Sequence, residues 1–257
     1  MNRTGNVVII GKKGSKAVSQ IVALTAVTRY NSKCSLVVNY GLAGPHYAEF
    51  LKTHPSLANK PVLNKYVGGN KFDVLKCVES AKIADVPESY SRLPKNALVK
   101  NFLVKKYHSQ GGVGIAMAKT LTPPSGKYFQ RFVKDRKYEL RVHGFLWAPT
   151  TDWLVQKRLG ERDTIAWNFH QGGRFQTIKN TQASPLFKEA VRITESVLKL
   201  RKMAFGAVDF IVTNDSHILF IEINSAPGFT EVSQPAYVKN FNLLCDLSLR
   251  NIKTLVS

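Results

Sequence analysis

The chain has 257 residues, of which 44% are hydrophobic and 21% charged. This is enough apolar material for a folded core and excludes a chain that is disordered throughout. The longest apolar runs, such as Val7 to Ile10, are far shorter than the roughly 20 residues that cross a bilayer. We therefore expect no membrane span. The same run is too short for the core of a secretory signal, so we expect a cytoplasmic protein.

The charge of the chain is strongly positive, because 37 Lys and Arg residues against 17 Asp and Glu residues give a formal net charge of +20. Such a field attracts polyanions. Nucleotide phosphates are the minimum implication, and a nucleic acid, or an acceptor group carried on one, is a further candidate partner. The basic residues are scattered and no single motif concentrates them. A general solubility charge with no specific partner is therefore an equal alternative.

The three cysteines, Cys34, Cys77 and Cys245, are widely separated and odd in number. Their spacing matches neither a disulfide framework nor a zinc site. We expect three buried, reduced thiols.

The first elements predict a parallel α/β lobe, to which we assign residues 1–62. Val7 to Ile10, a turn at Gly11 to Ser15 and an apolar-periodic stretch up to Val27 predict strand, turn and helix with Ser15 as N-cap. A second strand is predicted at Ser35 to Asn39. The turn lacks the glycine and lysine spacing of a phosphate loop, so an ordinary tight turn is favoured. Residues 41–64 show no periodicity and predict a connecting segment.

A second, small lobe is predicted over residues 63–127. It contains a helix at Lys71 to Ala84 and a strand at Ala97 to Val104. Lys105 then leads into a glycine-rich loop. Three glycines of this loop permit close backbone approach to phosphate oxygens while Lys105 supplies charge: Gly111, Gly112 and Gly114. An ordinary hairpin turn is the alternative.

The remaining lobe, residues 128–257, begins with two predicted strands, Tyr128 to Val133 and Tyr138 to Phe145. A polar turn at Asn168 to Gly173 separates them from a helix that runs from Ser184 or Pro185 to Lys202. A strand, turn and strand follow, at Gly206 to Thr213 and Ile218 to Asn224.

The register of this last hairpin predicts a cluster of oxygen donors. With Asp215 and Ser216 as the central turn residues, counting outward places Asp209 directly opposite Glu222. Asn224 lies two residues beyond Glu222 and shares its face. The opposite face is wholly apolar, which identifies it as the core side. It comprises Val208, Phe210 and Val212 on one strand, with Ile223, Ile221 and Leu219 on the other.

Two carboxylates about 5 Å apart repel by roughly 3 kcal/mol at an effective dielectric of about 20. A bound hard cation would offset this repulsion, and Mg²⁺ prefers oxygen ligands together with substrate phosphates. We therefore predict a metal site at Asp209, Glu222 and Asn224. Solvent-exposed charge on a sheet surface is the alternative, and the pairing depends on the register of the turn.

The segment from Glu222 to Phe229 resembles the E-x-N-x-x-P-G motif of the ATP-grasp superfamily. The similarity is greatest to its carboxylate–amine ligases, such as D-alanine ligase and the ribosomal-protein glutamate ligases. It spans roughly residues 65 to 235, and Asp209 falls where the family keeps its other metal-binding acid. The resemblance implies an α/β fold with a parallel N-terminal lobe, a small central lid lobe and a C-terminal antiparallel-sheet lobe that carries the metal site.

The resemblance also implies roles for further residues. Lys71 and Lys105 would hold ATP phosphates beneath a flap at Gly111 to Gly114. The interlobe segment that reads adenine would be Gln130, Arg131, Phe132 and Val133, with Gln130 replacing the acid commonly found there. Glu139 would bind the ribose hydroxyls. Candidates for the transferred phosphate and the acyl intermediate are Arg141, Lys157, Arg158 and Asn168, with the turn at Gly172 and Gly173.

One position departs from D-alanine ligase, where a basic residue stands two positions before the metal-binding aspartate. Ala207 occupies that position here. We expect Arg141 to supply the charge from a neighbouring strand. The departure argues against close similarity to D-alanine ligase itself.

The family mechanism implies that ATP, with Mg²⁺ or alternatively Mn²⁺, phosphorylates a carboxylate and that an amine attacks the resulting acylphosphate. An ATP-grasp kinase for a polyanionic hydroxyl substrate and a non-catalytic ATP-binding protein are the alternatives. A nucleic-acid-binding module would need exposed aromatic residues among basic ones, and Tyr128, Phe129 and Phe132 fit core or adenine packing better. A further alternative combines the ligase with nucleic-acid binding: a ligase that modifies an acceptor attached to DNA or RNA. The sequence predicts neither the substrates nor the oligomeric state.

Overall fold

The computed structural model describes residues 6–65, 67–109, 114–160, 164–165, 167, 174–178, 184–230 and 232–247. In chain order its helices and strands are β1 (Val7–Gly11), α1 (Lys16–Leu24), β2 (Leu36–Tyr40), α2 (Gly44–Thr53), β3 (Val62–Leu63), α3 (Lys71–Ser80), β4 (Ser89–Tyr90), β5 (Phe102–Lys106), β6 (Ala116–Met117), β7 (Lys127–Arg131), β8 (Arg136–Phe145), β9 (Leu154–Leu159), β10 (Arg174–Ile178), α4 (Pro185–Leu200), β11 (Phe205–Thr213), β12 (Ile218–Asn224) and α5 (Gln234–Asp246). No helix in these ranges is long and apolar enough to cross a membrane.

The first sheet has the order β1-β2-β3 and is parallel. The predicted strand–helix–strand start is confirmed, and the Ser15 side chain caps α1 by accepting a hydrogen bond from the Val18 amide at 3.4 Å. The prediction of a mere connecting segment at 41–64 is wrong, because these residues contain α2 and β3. Pro45 marks the first turn of α2, where its missing N–H costs nothing.

The middle sheet is antiparallel in its described pairings and has the order β4-β7-β5-β6. Asn70 caps α3 by accepting a hydrogen bond from the Asp73 amide at 3.0 Å, which fixes the helix start at Lys71. The strand predicted from Ala97 begins only at Phe102, because a 3₁₀ turn occupies residues 99–101. β7 belongs to this sheet and lies across the lobe limit predicted at 127/128. The division into three lobes stays a prediction.

The third sheet has five antiparallel strands in the order β10-β9-β8-β11-β12. Helix α4 packs against β8 and β11. Phe145, Phe205, Phe210 and Phe220 are at most 1% exposed and belong to the main hydrophobic core. The mixed α/β fold, with one parallel and two antiparallel sheets, agrees with the predicted class.

The β11–β12 hairpin contains a β-bulge that the sequence did not predict. Near the turn Phe210 lies opposite Phe220 and Val212 opposite Ile218, one residue away from the predicted register. The register shifts next to Asp209, where Ile221 is the extra residue. A classic bulge places two residues opposite one and bends its strand. The prediction of Leu219 and Ile221 on the core face is therefore wrong, and Ile218 and Phe220 are the buried residues.

Each of the three cysteines is a thiol outside any disulfide bond, as predicted. Cys34 is buried, whereas Cys77 is exposed and Cys245 is half-buried. The prediction that all three are buried is wrong. Cys77 lies on α3 next to buried Val78, and successive helix positions point about 100° apart, so burial of one does not extend to the other.

Candidate active site

Three oxygen-bearing side chains meet on the face of the β11–β12 hairpin opposite the core. Asp209 lies directly opposite Glu222. The Asn224 amide bridges the two carboxylates, because its Nδ2 donates to Asp209 Oδ2 and to Glu222 Oε1, at 3.3 Å each. The bulge at Ile221 restores the predicted pairing at this level of the hairpin. The predicted donor set is thus brought together.

Arg141 on β8 is the nearest cation to Asp209. The two residues are opposed across the sheet, and the guanidinium donates from Nε to Oδ1 at 2.6 Å and from Nη2 to Oδ2 at 2.7 Å. Burial by itself raises the pKa of Asp209, but the charge and hydrogen bonds of Arg141 outweigh it and hold that pKa well below its usual range. Asp209 is ionised, and Arg141 supplies the charge that Ala207 lacks.

Lys71, the first residue of α3, is the corresponding cation for Glu222. Its Nζ donates to Glu222 Oε2 at 2.5 Å. Each carboxylate of the pair therefore has a cation of its own. These two ion pairs offset the repulsion between the carboxylates without a bound cation. The prediction of a metal site from the sequence did not include them. The donor set itself, two carboxylates and an amide, suits a hard cation.

Lys105, at the end of β5, lies deeper in the cleft. It is 6% exposed, and its Nζ donates to Gln130 Oε1 at 2.8 Å. Gln130 in turn donates from Nε2 to Ser89 Oγ at 3.4 Å. Burial lowers the pKa of Lys105 to about 8, although the Glu222 carboxylate acts in the opposite direction. Gln130 thus fixes the lysine through a neutral acceptor.

The segment from Gln130 to Val133 borders the cleft, as predicted for an adenine-reading segment. The amides of Arg131 and Phe132 donate to the carbonyls of Glu88 and Asn101, each at 2.8 Å. These bonds tie the segment to the residues that precede β4 and β5 of the middle sheet. Its adenine-reading role stays a prediction.

Glu139 on β8 also borders the cleft, but arginines engage both of its oxygens. Arg136 donates to Oε1 at 2.8 Å and Arg158 to Oε2 at 2.7 Å. Burial raises the pKa of Glu139, and the two guanidinium groups counteract that effect. The ribose-binding role of Glu139 stays a prediction, and it requires ribose hydroxyls to share this carboxylate with the arginines.

A cleft of about 1280 Å³ contains all of these groups. Ten lysine and arginine side chains line it, against the three carboxylates of Glu139, Asp209 and Glu222. A cleft lined mainly by one sign of charge concentrates counter-ions of the other. The arrangement is suited to a polyphosphate held beside a small acidic centre.

Not every predicted residue reaches the cleft. Arg158 borders it, but Lys157 lies on the opposite face of β9 with its Nζ 4.3 Å from the centre of the Tyr138 ring. Because side chains alternate along a strand, Lys157 and Arg158 point to opposite faces.

Of the predicted glycine-rich loop, the structure describes Gly114. It has φ +80°, and a Cβ there would lie 2.8 Å from Lys106 Cε. The remaining predicted positions lie outside the described residues: Gly111, Gly112, Asn168, Gly172 and Gly173.

A buried polar network behind the site was not predicted. His143 donates from Nε2 to Gln156 Oε1, 3.1 Å away, and its Nδ1 accepts from the Tyr237 hydroxyl, 2.7 Å away. Burial and then the charge of Arg141 lower the pKa of His143 to about 3. Phe229 stacks on Tyr237 with ring centroids 4.4 Å apart, so the network supports the loop that follows Asn224. Its members are far apart in sequence, and no local pattern signals them.

The family model of the D-ala D-ala ligase C-terminus matches residues 175–242, about a quarter of the chain. This stretch includes the three residues of the candidate metal site. No curated protein matches the chain.

Three solved structures illustrate the similarity. The ATP-grasp ligase PsnB, complexed with a phosphomimetic variant of its minimal precursor, Mg and ADP, has a TM-score of 0.63 at 14% identity, over 99% of each chain. The macrocyclase MdnC from Microcystis aeruginosa MRC, bound with precursor peptide MdnA, has a TM-score of 0.58 at 13% identity, over 93% of this chain and 98% of MdnC. D-alanine–D-alanine ligase from Bacillus anthracis, complexed with ATP, has a TM-score of 0.59 at 12% identity, over 96% of this chain and 97% of that one.

The chain has the ATP-grasp fold, and the predicted resemblance is confirmed at that level. Within the superfamily, the three structures above and the family model belong to proteins described as ligases or as a macrocyclase, in keeping with the predicted ligase class.

Proposed function

We propose that the protein is an ATP-dependent carboxylate–amine ligase. The observation that carries the proposal is the meeting of Asp209, Glu222 and Asn224 on one face of the hairpin, inside a cleft rich in cations. The fold and the family match over residues 175–242 support it. Mg²⁺ bound at these three residues would neutralise charge on the phosphates of ATP.

Each remaining group has a role that follows from its position. Lys71 and Lys105 would contact phosphate oxygens, since both extend into the cleft beside the acidic pair. Arg141 holds Asp209 ionised and oriented, which keeps an anionic oxygen available to a cation. Arg158, 3.8 Å from Asp209 Oδ1, would stabilise charge on the transferred phosphoryl group.

The reaction would proceed in two transfers. A carboxylate oxygen of one substrate attacks the γ-phosphorus of ATP, and ADP leaves. An amine of the second substrate then attacks the acyl carbon, phosphate leaves, and the amine loses a proton. The cleft walls limit access of water to the acylphosphate, which would otherwise hydrolyse.

The test is ADP release with Mg²⁺ in a screen of carboxylates and amines, with hydroxylamine added to trap the acyl group. A hydroxamate is expected. Asp209→Asn and Glu222→Gln should each abolish ADP release while the far-UV circular dichroism spectrum stays that of the wild type. Normal ADP release by either variant would refute the metal assignment.

A kinase acting on a polyanionic hydroxyl substrate is the second candidate, favoured by the ten cations that line the cleft. It would release ADP without forming a hydroxamate. The same assay therefore separates the two candidates.

A further inference from the structure

The N-terminal lobe carries positive charge with almost no acid to offset it. Within residues 6–65 the only acidic residue is Glu49, and it pairs with Lys52 at 3.5 Å. The same stretch contains eight basic residues, namely Lys12, Lys13, Lys16, Arg29, Lys33, Lys52, Lys60 and Lys65.

Three of these lysines lie at the mouth of the cleft. Gly11 ends β1 opposite Tyr40, the last residue of β2, and ligands of parallel sheets bind at such carboxyl ends. The next residue, Gly41, adjoins the loop after the metal site, since a Cβ on Gly41 would lie 2.4 Å from Ala226 Cβ. The loop and helix start that follow Gly11 bring Lys12, Lys13 and Lys16 to line the cleft.

The side chains of these lysines are free, unlike the cations deeper in the cleft. All three are exposed, and within the described ranges none has an ion-pair partner, whereas Lys71 and Arg141 each bind a carboxylate. We call Lys12, Lys13 and Lys16 the mouth lysines. Unpaired, exposed ammonium groups gain most from an external anion, because no internal pair has to be broken.

The positive charge continues outward along α1. Arg29 donates from Nη2 to the Ser19 hydroxyl at 2.7 Å, and Ser19 lies three residues after Lys16 on the helix, on the same side. The cations therefore form a line that starts in the cleft and leaves it. A single phosphate or carboxylate would occupy one or two of them, whereas a polymer with regularly spaced anions would occupy the line.

We propose that the mouth lysines and Arg29 bind the phosphates of a single nucleic-acid strand, whose acceptor group enters the cleft. Exposed lysines act as point charges for phosphates, and phosphate contacts position a strand without reading its sequence. The inference deepens the proposed function and rests on it in one respect: the bound strand carries the group that the ligase modifies.

The test measures binding of a fluorescently labelled 20-nucleotide DNA strand, and of the matching RNA strand, by anisotropy over a range of salt concentrations. The variant is Lys12→Ala, Lys13→Ala and Lys16→Ala combined. A matched control combines Lys33→Ala, Lys95→Ala and Lys119→Ala, which removes three exposed lysines that do not line the cleft. Thermal unfolding confirms that both variants are folded.

Each phosphate neutralised on a single strand contributes about 0.7 to the slope of log K against log salt concentration. The mouth variant should therefore lose about 2 units of slope and bind at least roughly tenfold more weakly at low salt, while the control keeps the wild-type slope. Equal binding by wild type and mouth variant, or an equal loss in the control, would overturn the proposal. So would displacement of the strand by poly-glutamate at equal charge concentration, which would indicate an acidic peptide instead.

Binding of a fluorescent ATP analogue to the wild-type protein with Mg²⁺ is measured in parallel. Strand binding that depends on the mouth lysines, without any ATP binding, would refute the proposed ligase and leave the docking surface standing. ATP binding together with strand binding that is unchanged in the mouth variant would refute the docking surface and leave the proposed ligase standing.

Discussion

Arg141 and Asp209 lie directly opposite each other on neighbouring strands and are joined by two hydrogen bonds, of 2.6 and 2.7 Å. The pair is mostly buried, with side-chain exposures of 18% and 9%. The protein thus holds one candidate metal ligand ionised by means of its own guanidinium.

Replacing Arg141 with methionine should therefore be strongly destabilising. Removal of one partner leaves a buried charge without compensation, which costs about 3–5 kcal/mol. The free energy of unfolding is measured by urea denaturation at pH 7. Arg192→Met is the matched control, because Arg192 makes the same two-bond contact with Glu189 on an exposed helix face, at 2.6 and 2.7 Å. It should cost less than about 1 kcal/mol, and equal losses in the two variants would contradict the prediction.

Lys105 should make nucleotide binding sensitive to alkaline pH. Its pKa is lowered by burial to about 8, so the ammonium loses its charge as the pH rises through that value. A charge-assisted hydrogen bond contributes about 1.5–3 kcal/mol, so affinity for an ATP analogue should fall roughly tenfold between pH 7 and 9.5. Isothermal titration calorimetry measures the dissociation constant. Lys105→Arg, which stays charged, should flatten the dependence, and an unchanged slope in that variant would remove Lys105 from the phosphate site.

His143 should make stability decline as the pH falls. Its folded-state pKa is about 3, below the unfolded value of about 6.5, so unfolding takes up a proton between these values. The contribution is complete above about pH 6.5 and falls by about 1.4 kcal/mol per pH unit as the pH drops towards 3. Urea denaturation at pH 7, 6, 5 and 4 measures this. His143→Gln should show a shallower decline than the wild type, whereas His46→Gln, at an exposed position, should not.

Gly41 should be intolerant of a side chain because of Ala226. Gly41 and Gly14 have similar φ angles, +84° and +77°, but a Cβ on Gly14 would meet nothing within 4 Å. Alanine at either position is strained by about 1–2 kcal/mol. Gly41→Ala adds a clash with the loop after the candidate metal site, and overpacking typically costs a further 1–3 kcal/mol or so. Equal unfolding free energies for Gly41→Ala and Gly14→Ala would contradict the prediction, because they would show that Ala226 and its loop move aside without cost.

The pairing of Asp209 with Glu222 could be predicted from the sequence, but the register of the hairpin turn could not. The turn is offset by one residue from the predicted register, yet Asp209 and Glu222 are paired as predicted, because the bulge at Ile221 compensates. The prediction that this pairing depends on the register of the turn is wrong. Period-two patterning cannot show a bulge, since the extra residue is itself apolar and fits either face.

Other features depended on contacts between distant segments. Lys157 and Arg158 are adjacent in sequence, and only the strand pairing of β9 with β8 shows which of them faces the cleft. The bond between His143 and Tyr237 joins residues 94 positions apart. The short helix α2 buries a single residue, Tyr47, so its periodicity is too weak to recognise.

The bulge also separates the exposed end of the β11–β12 hairpin from its acidic end. Because a one-residue offset near the turn is absorbed before Asp209, a register shift caused by residues added between Asn214 and Ser216 need not reach the pairing of Asp209 with Glu222. The hairpin tip is therefore a suitable attachment point for a fluorescent reporter that leaves Asp209, Glu222 and Asn224 in place.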